Sequence, residues 1–218
     1  MQAISRRRAA LAILLIFFVV GAGFVLVATT PIELERTIME WLRESRDLSK
    51  LAGPDWLTWS WYGFTKFGDT FPRIFFAFGV IIFLLIKSQR SQAIIFAGCL
   101  VVGIAFSSAL KYWIDRPRPQ WVPHLDLVTN QSFPSGHALN STLFYMGLAC
   151  LLMPYLPNRL SRVVFFCLML MFTIATGISR VALGVHYPTD VLAGWLLGTA
   201  VLILWLQVEK RYVDERVV

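Results

Sequence analysis

Three short segments of this 218-residue chain hold residue types that together can bind and cleave a phosphate ester. The first runs from Lys111 to Arg118 and Pro119, the second is Pro134, Ser135, Gly136 and His137, and the third runs from Ser179 and Arg180 through His186 to Asp190. Lys111, Arg118 and Arg180 are cations at the edges of apolar runs, where unpaired charge is costly and normally functional. A guanidinium holds phosphate oxygens in a two-pronged fork, and an ammonium acts as a point charge. The second segment reads as a helix start, whose free N–H groups and dipole favour an anion. Ser135 is its candidate cap, and Gly136 lets the backbone come close to a ligand.

The two histidines supply a mechanism. A neutral His186 can attack phosphorus if a carboxylate orients it. Asp190 lies four residues on, and Pro188 suits the first turn of the helix between them. A His–Asp hydrogen bond would fix the tautomer and stabilise the cation formed on attack. His137 can then protonate the leaving oxygen and later activate water. Such a pair predicts a rate that rises and then falls with pH.

Taken singly, each feature has a plainer reading. Lys111 and Arg118 can be interfacial anchors, and Pro134 to Gly136 only a turn and cap. His186 with Asp190 can be a structural hydrogen bond or half a metal site. His124 reads as surface, and Asp115 and Arg116 as paired locally or facing water. The plain readings weaken only when the three segments meet, so the elements that carry them decide.

Those elements are membrane helices. The chain is 57% apolar and 15% charged, with a mean hydropathy of +0.64, against about 45–50% and 25% in soluble domains. That excludes a soluble core and a disordered chain. Cys99, Cys150 and Cys167 are few, odd in number and set in apolar runs, which excludes a disulfide scaffold. The net charge of +7 is scattered beside the apolar runs, not gathered in one stripe, and does not point to nucleic acid. Uncharged runs of 24, 20, 17 and 18 residues follow Arg8, Arg90, Arg162 and Asp190, and a further one lies between Leu127 and Asn158. Each approaches the roughly 20 residues a span needs. Only 13 residues separate Arg73 from Lys87, so that span must take in Phe71 and Pro72 and let Lys87 snorkel.

The expectation is therefore an all-α polytopic membrane protein forming one domain over 1–218. Its six spans lie near 10–29, 70–87, 91–111, 136–153, 162–179 and 190–208. The first is read as a retained anchor, being too long for a typical signal core. With the N-terminus cytoplasmic, ten of the twenty Lys and Arg fall in short inside segments with three acids, and ten fall outside with ten acids. This places both termini inside and the three segments on the outer face.

Between the first two spans, 30–69 is expected to carry an outer-surface amphipathic helix. Thr30 would be its cap and Pro31 its first residue. Leu34, Ile38, Trp41, Leu42, Leu48 and Leu51 would form one face, and Glu33, Arg36, Glu40, Arg43 and Asp47 the other. Gly53 and Pro54 stop it, and Trp56, Trp59, Trp61 and Tyr62 have the composition of an interfacial belt. Gly194 and Gly198 in the last span allow close helix approach, which packing within the chain explains.

In order, spacing and residue type, the three segments resemble the signature of the type 2 phosphatidic acid phosphatase superfamily. The resemblance implies a helical membrane phosphatase that needs no metal or other cofactor and forms a phosphohistidine. It implies His186 as nucleophile, Asp190 as its partner and His137 as acid. Lys111, Arg118, Ser135, Gly136 and Arg180 would bind phosphate. Among members, the chain is similar to bacterial lipid phosphatases of an inner membrane acting on phosphatidylglycerol phosphate, undecaprenyl pyrophosphate or phosphatidic acid. The expected partners are that lipid and the bilayer, with no nucleic acid and no obligate protein. Two alternatives stand beside it: a phosphotransferase passing phosphate to a second lipid such as lipid A, and a non-catalytic lipid transporter or binding protein.

Overall fold

A computed structural model describes residues 2–29 and 32–214. Helix α1 (Gln2–Ala28) opens the chain and α2 (Glu33–Trp41) follows. A short hairpin of β1 (Arg43–Glu44) and β2 (Asp47–Leu51) leads to α3 (Asp55–Phe67), α4 (Thr70–Ile86) and α5 (Arg90–Ile114). After a long loop come α6 (Gly136–Tyr155), α7 (Arg159–Ala182) and α8 (Pro188–Asp214). Helix α6 loosens to a π turn at Thr142–Met146 and tightens over its last three residues.

Five of these helices, α1 and α5 to α8, are long and apolar enough to cross a membrane. Phe17, Phe18, Ile94 and Val101 are exposed on their sides, a placement only a bilayer rewards. The second expected span is composite. Helix α4 has 17 residues, about 25 Å at 1.5 Å each, which falls short of a hydrocarbon core of about 30 Å. Helix α3 adjoins it across a 59° bend at Gly68 and Asp69, and the two together are long and apolar enough to make a sixth span.

The buried core lies where α5, α6 and α8 meet: Leu110, Leu139, Leu143 and Leu197 are fully or almost fully enclosed, and Val19 of α1 joins them. Gly194 and Gly198 allow the contact. A Cβ on Gly194 would stand 2.7 Å from the Ser135 carbonyl oxygen, and one on Gly198 2.7 Å from Thr142 Cβ. The close approach is thus inside the chain, as expected.

The segment between the first two spans departs from its expectation. Helix α2 begins at Glu33, with Ile32 extended before it and no side-chain cap; Thr30 and Pro31 lie outside the described residues. The helix ends at Trp41, not near Leu51, and a hairpin replaces the rest. Asp47 accepts from the Ser49 N–H at 3.0 Å and its hydroxyl at 2.6 Å, a local pairing that competes with helix. Arg43, assigned to the polar face, is buried and donates to the carbonyls of Leu48 and Pro123. Burial pushes its guanidinium below the ordinary range. Leu51 packs on Ala182, Leu183 and Val185. Leu34 and Trp41 face outward, while Glu35 and Met39 are the buried pair. Met39 packs on Val122, Val181, Tyr187 and Val191, so α2 caps the protein as well as facing the membrane.

Candidate active site

The three segments meet at one end of the bundle. Helix α5 ends one turn after Lys111, and Asp115 takes a left-handed conformation (φ 52°) that turns the chain back. Pro117 and Pro119 then hold Arg116 and Arg118 on extended backbone. Ser135 caps α6, its Oγ accepting from the Ala138 N–H at 3.4 Å, while its own N–H donates to the Asp190 carbonyl at 3.0 Å. Between α7 and α8, Gly184 adopts φ 77°, and the Val185 N–H reaches back to the Arg180 carbonyl at 3.1 Å. A Cβ on Gly184 would meet Arg43 Nη2 at 2.6 Å. This turn sets His186 immediately before α8.

His186 is buried between two contrasting environments. Its Nδ1 lies 3.4 Å from Asp190 Oδ2 and 3.4 Å from Ser132 Oγ. Its Nε2 lies 3.4 Å from Arg118 Nη1. A guanidinium only donates, so Nε2 must offer its lone pair and Nδ1 must carry the proton. Burial, with Lys111, Arg118, Arg180 and His137 nearby, holds the imidazole well below its ordinary range, so it is neutral at neutral pH.

Asp190 is fully buried and heavily used. Its Oδ2 accepts from the Tyr187 N–H at 3.0 Å and from the Ser132 hydroxyl, and Oδ1 accepts from Arg116 Nη1 at 2.6 Å. Arg116 continues the chain of contacts, with Nη2 donating to Glu35 Oε2 at 3.1 Å and its carbon lying 3.9 Å from the Tyr187 ring centre. Glu35 also accepts from the N–H and hydroxyl of Thr189. Arg116 is therefore neither surface nor locally paired, as its sequence neighbourhood suggested. It needs two carboxylates from distant elements, and no linear spacing reveals them.

In front of His186 is a cavity of about 450 Å³. His186, His137, Lys111, Arg118, Arg180 and Gly136 line it. Of the remaining predicted residues, Asp190 stands behind His186 and Ser135 is buried at the helix cap. Lys111 Nζ donates to the Gln131 carbonyl, and Arg118 to the carbonyls of Val185 and Asn130 and the Asn130 amide oxygen. Burial and then repulsion from Arg180 push Arg118 down to about 10, still charged at neutral pH. Arg180 Nη1 donates to Asp126 Oδ2 at 2.6 Å and to the Thr65 hydroxyl.

Sequence reasoning missed four charged wall residues: Asp69, Arg73, Asp126 and Lys66. Asp69, at the bend between α3 and α4, faces His137 with Oδ1 3.0 Å from Nε2, and Lys66 Nζ lies 3.3 Å from Oδ2. Arg73 did carry a signal, as a charge inside an apolar span. The resulting arrangement is a cation-rich pocket that presents one imidazole lone pair and a second, carboxylate-paired imidazole. Chemically it can hold a phosphate, attack it and manage a proton.

A family model described as the PAP2 superfamily matches residues 92–214. Phosphatidylglycerophosphatase B of Bacillus subtilis is 39% identical over 100 residues, covering 45% of this chain and 48% of that protein. Undecaprenyl-diphosphatase of Sulfolobus acidocaldarius is 33% identical over 132 residues, covering 58% and 60%. The matches thus span about half to three-fifths of these relatives. A crystal structure of the PAP2 type phosphatidylglycerolphosphate phosphatase from Bacillus subtilis superposes with a TM-score of 0.74 at 23% identity, over 94% of this chain and 96% of that one; it shares the fold.

Proposed function

The chain belongs to the PAP2 superfamily, and on that premise we propose that it is a membrane lipid phosphatase hydrolysing a phosphomonoester or diphosphate headgroup. The single observation that carries the reading is His186 itself: a buried imidazole with its Nε2 lone pair toward a cationic cavity and its Nδ1 toward Asp190. In this reading Nε2 forms a bond to phosphorus and the bond to the lipid oxygen breaks. His137, paired with Asp69, protonates that oxygen. Asp190 stabilises the imidazolium, and Lys111, Arg118, Arg180 and the N–H groups opening α6 hold the equatorial oxygens. Ser135 acts by fixing those N–H groups, and Gly136 by leaving room beside Ser107, whose Oγ a Cβ there would meet at 3.3 Å. Water deprotonated by His137 then breaks the N–P bond and releases phosphate.

A lipid is favoured as substrate because the cavity shares Thr70, Arg73, Ile104 and Asn140 with a recess between α4 and α5 that also has Ile74 and Leu100. An acyl or prenyl chain can stay in the bilayer there while its headgroup reaches His186. The Lys and Arg distribution supports a cell-membrane location with cytoplasmic termini and an outward-facing site.

The test is phosphate release in detergent from lipid phosphates and diphosphates, with EDTA throughout and His186→Ala alongside. Release by the wild type alone is expected. Equal release by H186A would overturn the assignment, and release only on adding a second lipid would make the protein a phosphotransferase.

A further inference from the structure

Arg73 has no part in the scheme above. It lies in the first turn of α4, buried, with Nε donating to the Asp69 carbonyl at 3.2 Å and Nη2 to the Thr70 hydroxyl at 3.3 Å. Among the described residues no carboxylate pairs with it, whereas Lys66 has Asp69 and Arg180 has Asp126. A buried guanidinium holding only neutral acceptors retains capacity for an anion.

Its position says which anion. Lys111 and Arg118 sit on the His186 side, while Arg73 and His137 are both held by Asp69, through its backbone and its carboxylate. Arg73 also lines both the cavity and the recess of Ile74, Leu100 and Ile104. It therefore stands between the place where phosphorus is attacked and the place where a lipid chain enters. The group that occupies this position in a lipid diphosphate is the inner phosphate.

We infer that Arg73 is a specificity-determining residue that binds the inner phosphate of lipid diphosphates, an inference that rests on the phosphatase reading. Attack on a diphosphate joins Nε2 to the outer phosphorus and breaks its bond to the bridging oxygen. The electron pair stays on the inner phosphate, which departs as a lipid monophosphate. That leaving group needs its new charge neutralised, and Arg73 supplies a cation. In a monoester the leaving oxygen is an alkoxide, which needs a proton and so depends on His137. The two substrates should thus depend on different residues.

The full-length protein in detergent is assayed with farnesyl diphosphate and farnesyl monophosphate, which share one chain. Arg73→Gln should lower the diphosphate-to-monophosphate ratio of kcat/KM by about ten- to a hundredfold, the usual range for one charged hydrogen bond. His137→Gln should move the ratio the opposite way. Arg73→Lys, which keeps the charge and loses the fork, should lower the ratio severalfold, and it decides the matter if R73Q does not fold. Active variants with an unmoved ratio, or a larger loss on the monophosphate, overturn the inference while leaving the phosphatase reading intact. Absence of release by the wild type from either lipid overturns both.

Discussion

Glu35 lies on a helix outside the membrane core, yet the structure predicts that it governs turnover. It reaches Asp190 only through Arg116, and both members of the Glu35–Arg116 pair are buried, with side chains 3% exposed. Replacing Glu35 by Gln keeps the shape but cannot keep the contacts. If the amide oxygen stays on Thr189, its NH2 group faces Arg116 Nη2 where the carboxylate now stands at 3.1 Å. If the amide flips, the conflict moves to the Thr189 N–H. Either way a buried charged hydrogen bond is lost, worth about 1.5–3 kcal/mol. Arg116 divides itself between two carboxylates, so roughly half of that should fall on Asp190 and on its hold over His186. At about 1.36 kcal/mol per factor of ten, kcat should fall about four- to thirteenfold with KM little changed. The decisive assay is a kinetic double-mutant cycle. In an Arg116→Met background, E35Q should cost less than about twofold. An equal cost in both backgrounds would show that Glu35 does not act through Arg116, and an unaffected wild-type-background kcat would refute the coupling itself.

Two further predictions follow from charge. His186 is held below its ordinary value, chiefly by burial and then by the surrounding cations. In the unfolded chain it binds a proton near pH 6.5, where the folded protein does not. Its contribution to stability is therefore full above pH 6.5 and declines as pH falls below it toward the folded value. Between pH 7.5 and 5.5 the thermal midpoint of the wild type should fall more than that of His186→Asn; parallel curves would contradict the assignment. The Lys and Arg distribution predicts that an impermeant thiol reagent labels intact cells carrying Ser49→Cys, in the hairpin, and not those carrying Ser161→Cys, in the first turn of α7. The reverse pattern would invert the topology.

What was legible in the sequence was what local chemistry fixes. Uncharged runs near 20 residues locate spans because a bilayer tolerates little else, and Ser135 announces a cap because its hydroxyl acts within three residues. His186 and Asp190 are readable together because one helical turn separates them. Glu35, Asp69 and Asp126 were not, since each meets its partner across 54 to 81 residues of chain. The hairpin at Arg43–Leu51 was misread for a related reason. Leu42, Leu48 and Leu51 fit a helical stripe, but Arg43 finds a carbonyl acceptor at Pro123, and Leu51 finds its pocket beside Leu183. Tertiary contacts there override the local period.

The distribution of charge about His186 gives these distant residues a common purpose. Its front wall carries Lys66, Arg73, Lys111, Arg118 and Arg180 against Asp69 and Asp126. Behind it, Arg116 is outnumbered by Glu35 and Asp190. The imidazole thus lies in a field running from a positive face to a negative one. In the proposed reaction, attack on a phosphate would send charge along that field. The imidazole would become cationic beside the acidic pair, and the phosphoryl oxygens would keep their negative charge beside the cations. Neither wall must rearrange to accommodate the change, because hydrogen bonds already fix both. The same field disfavours a proton on His186, so a single arrangement both keeps the proposed nucleophile neutral and would stabilise the cation it becomes.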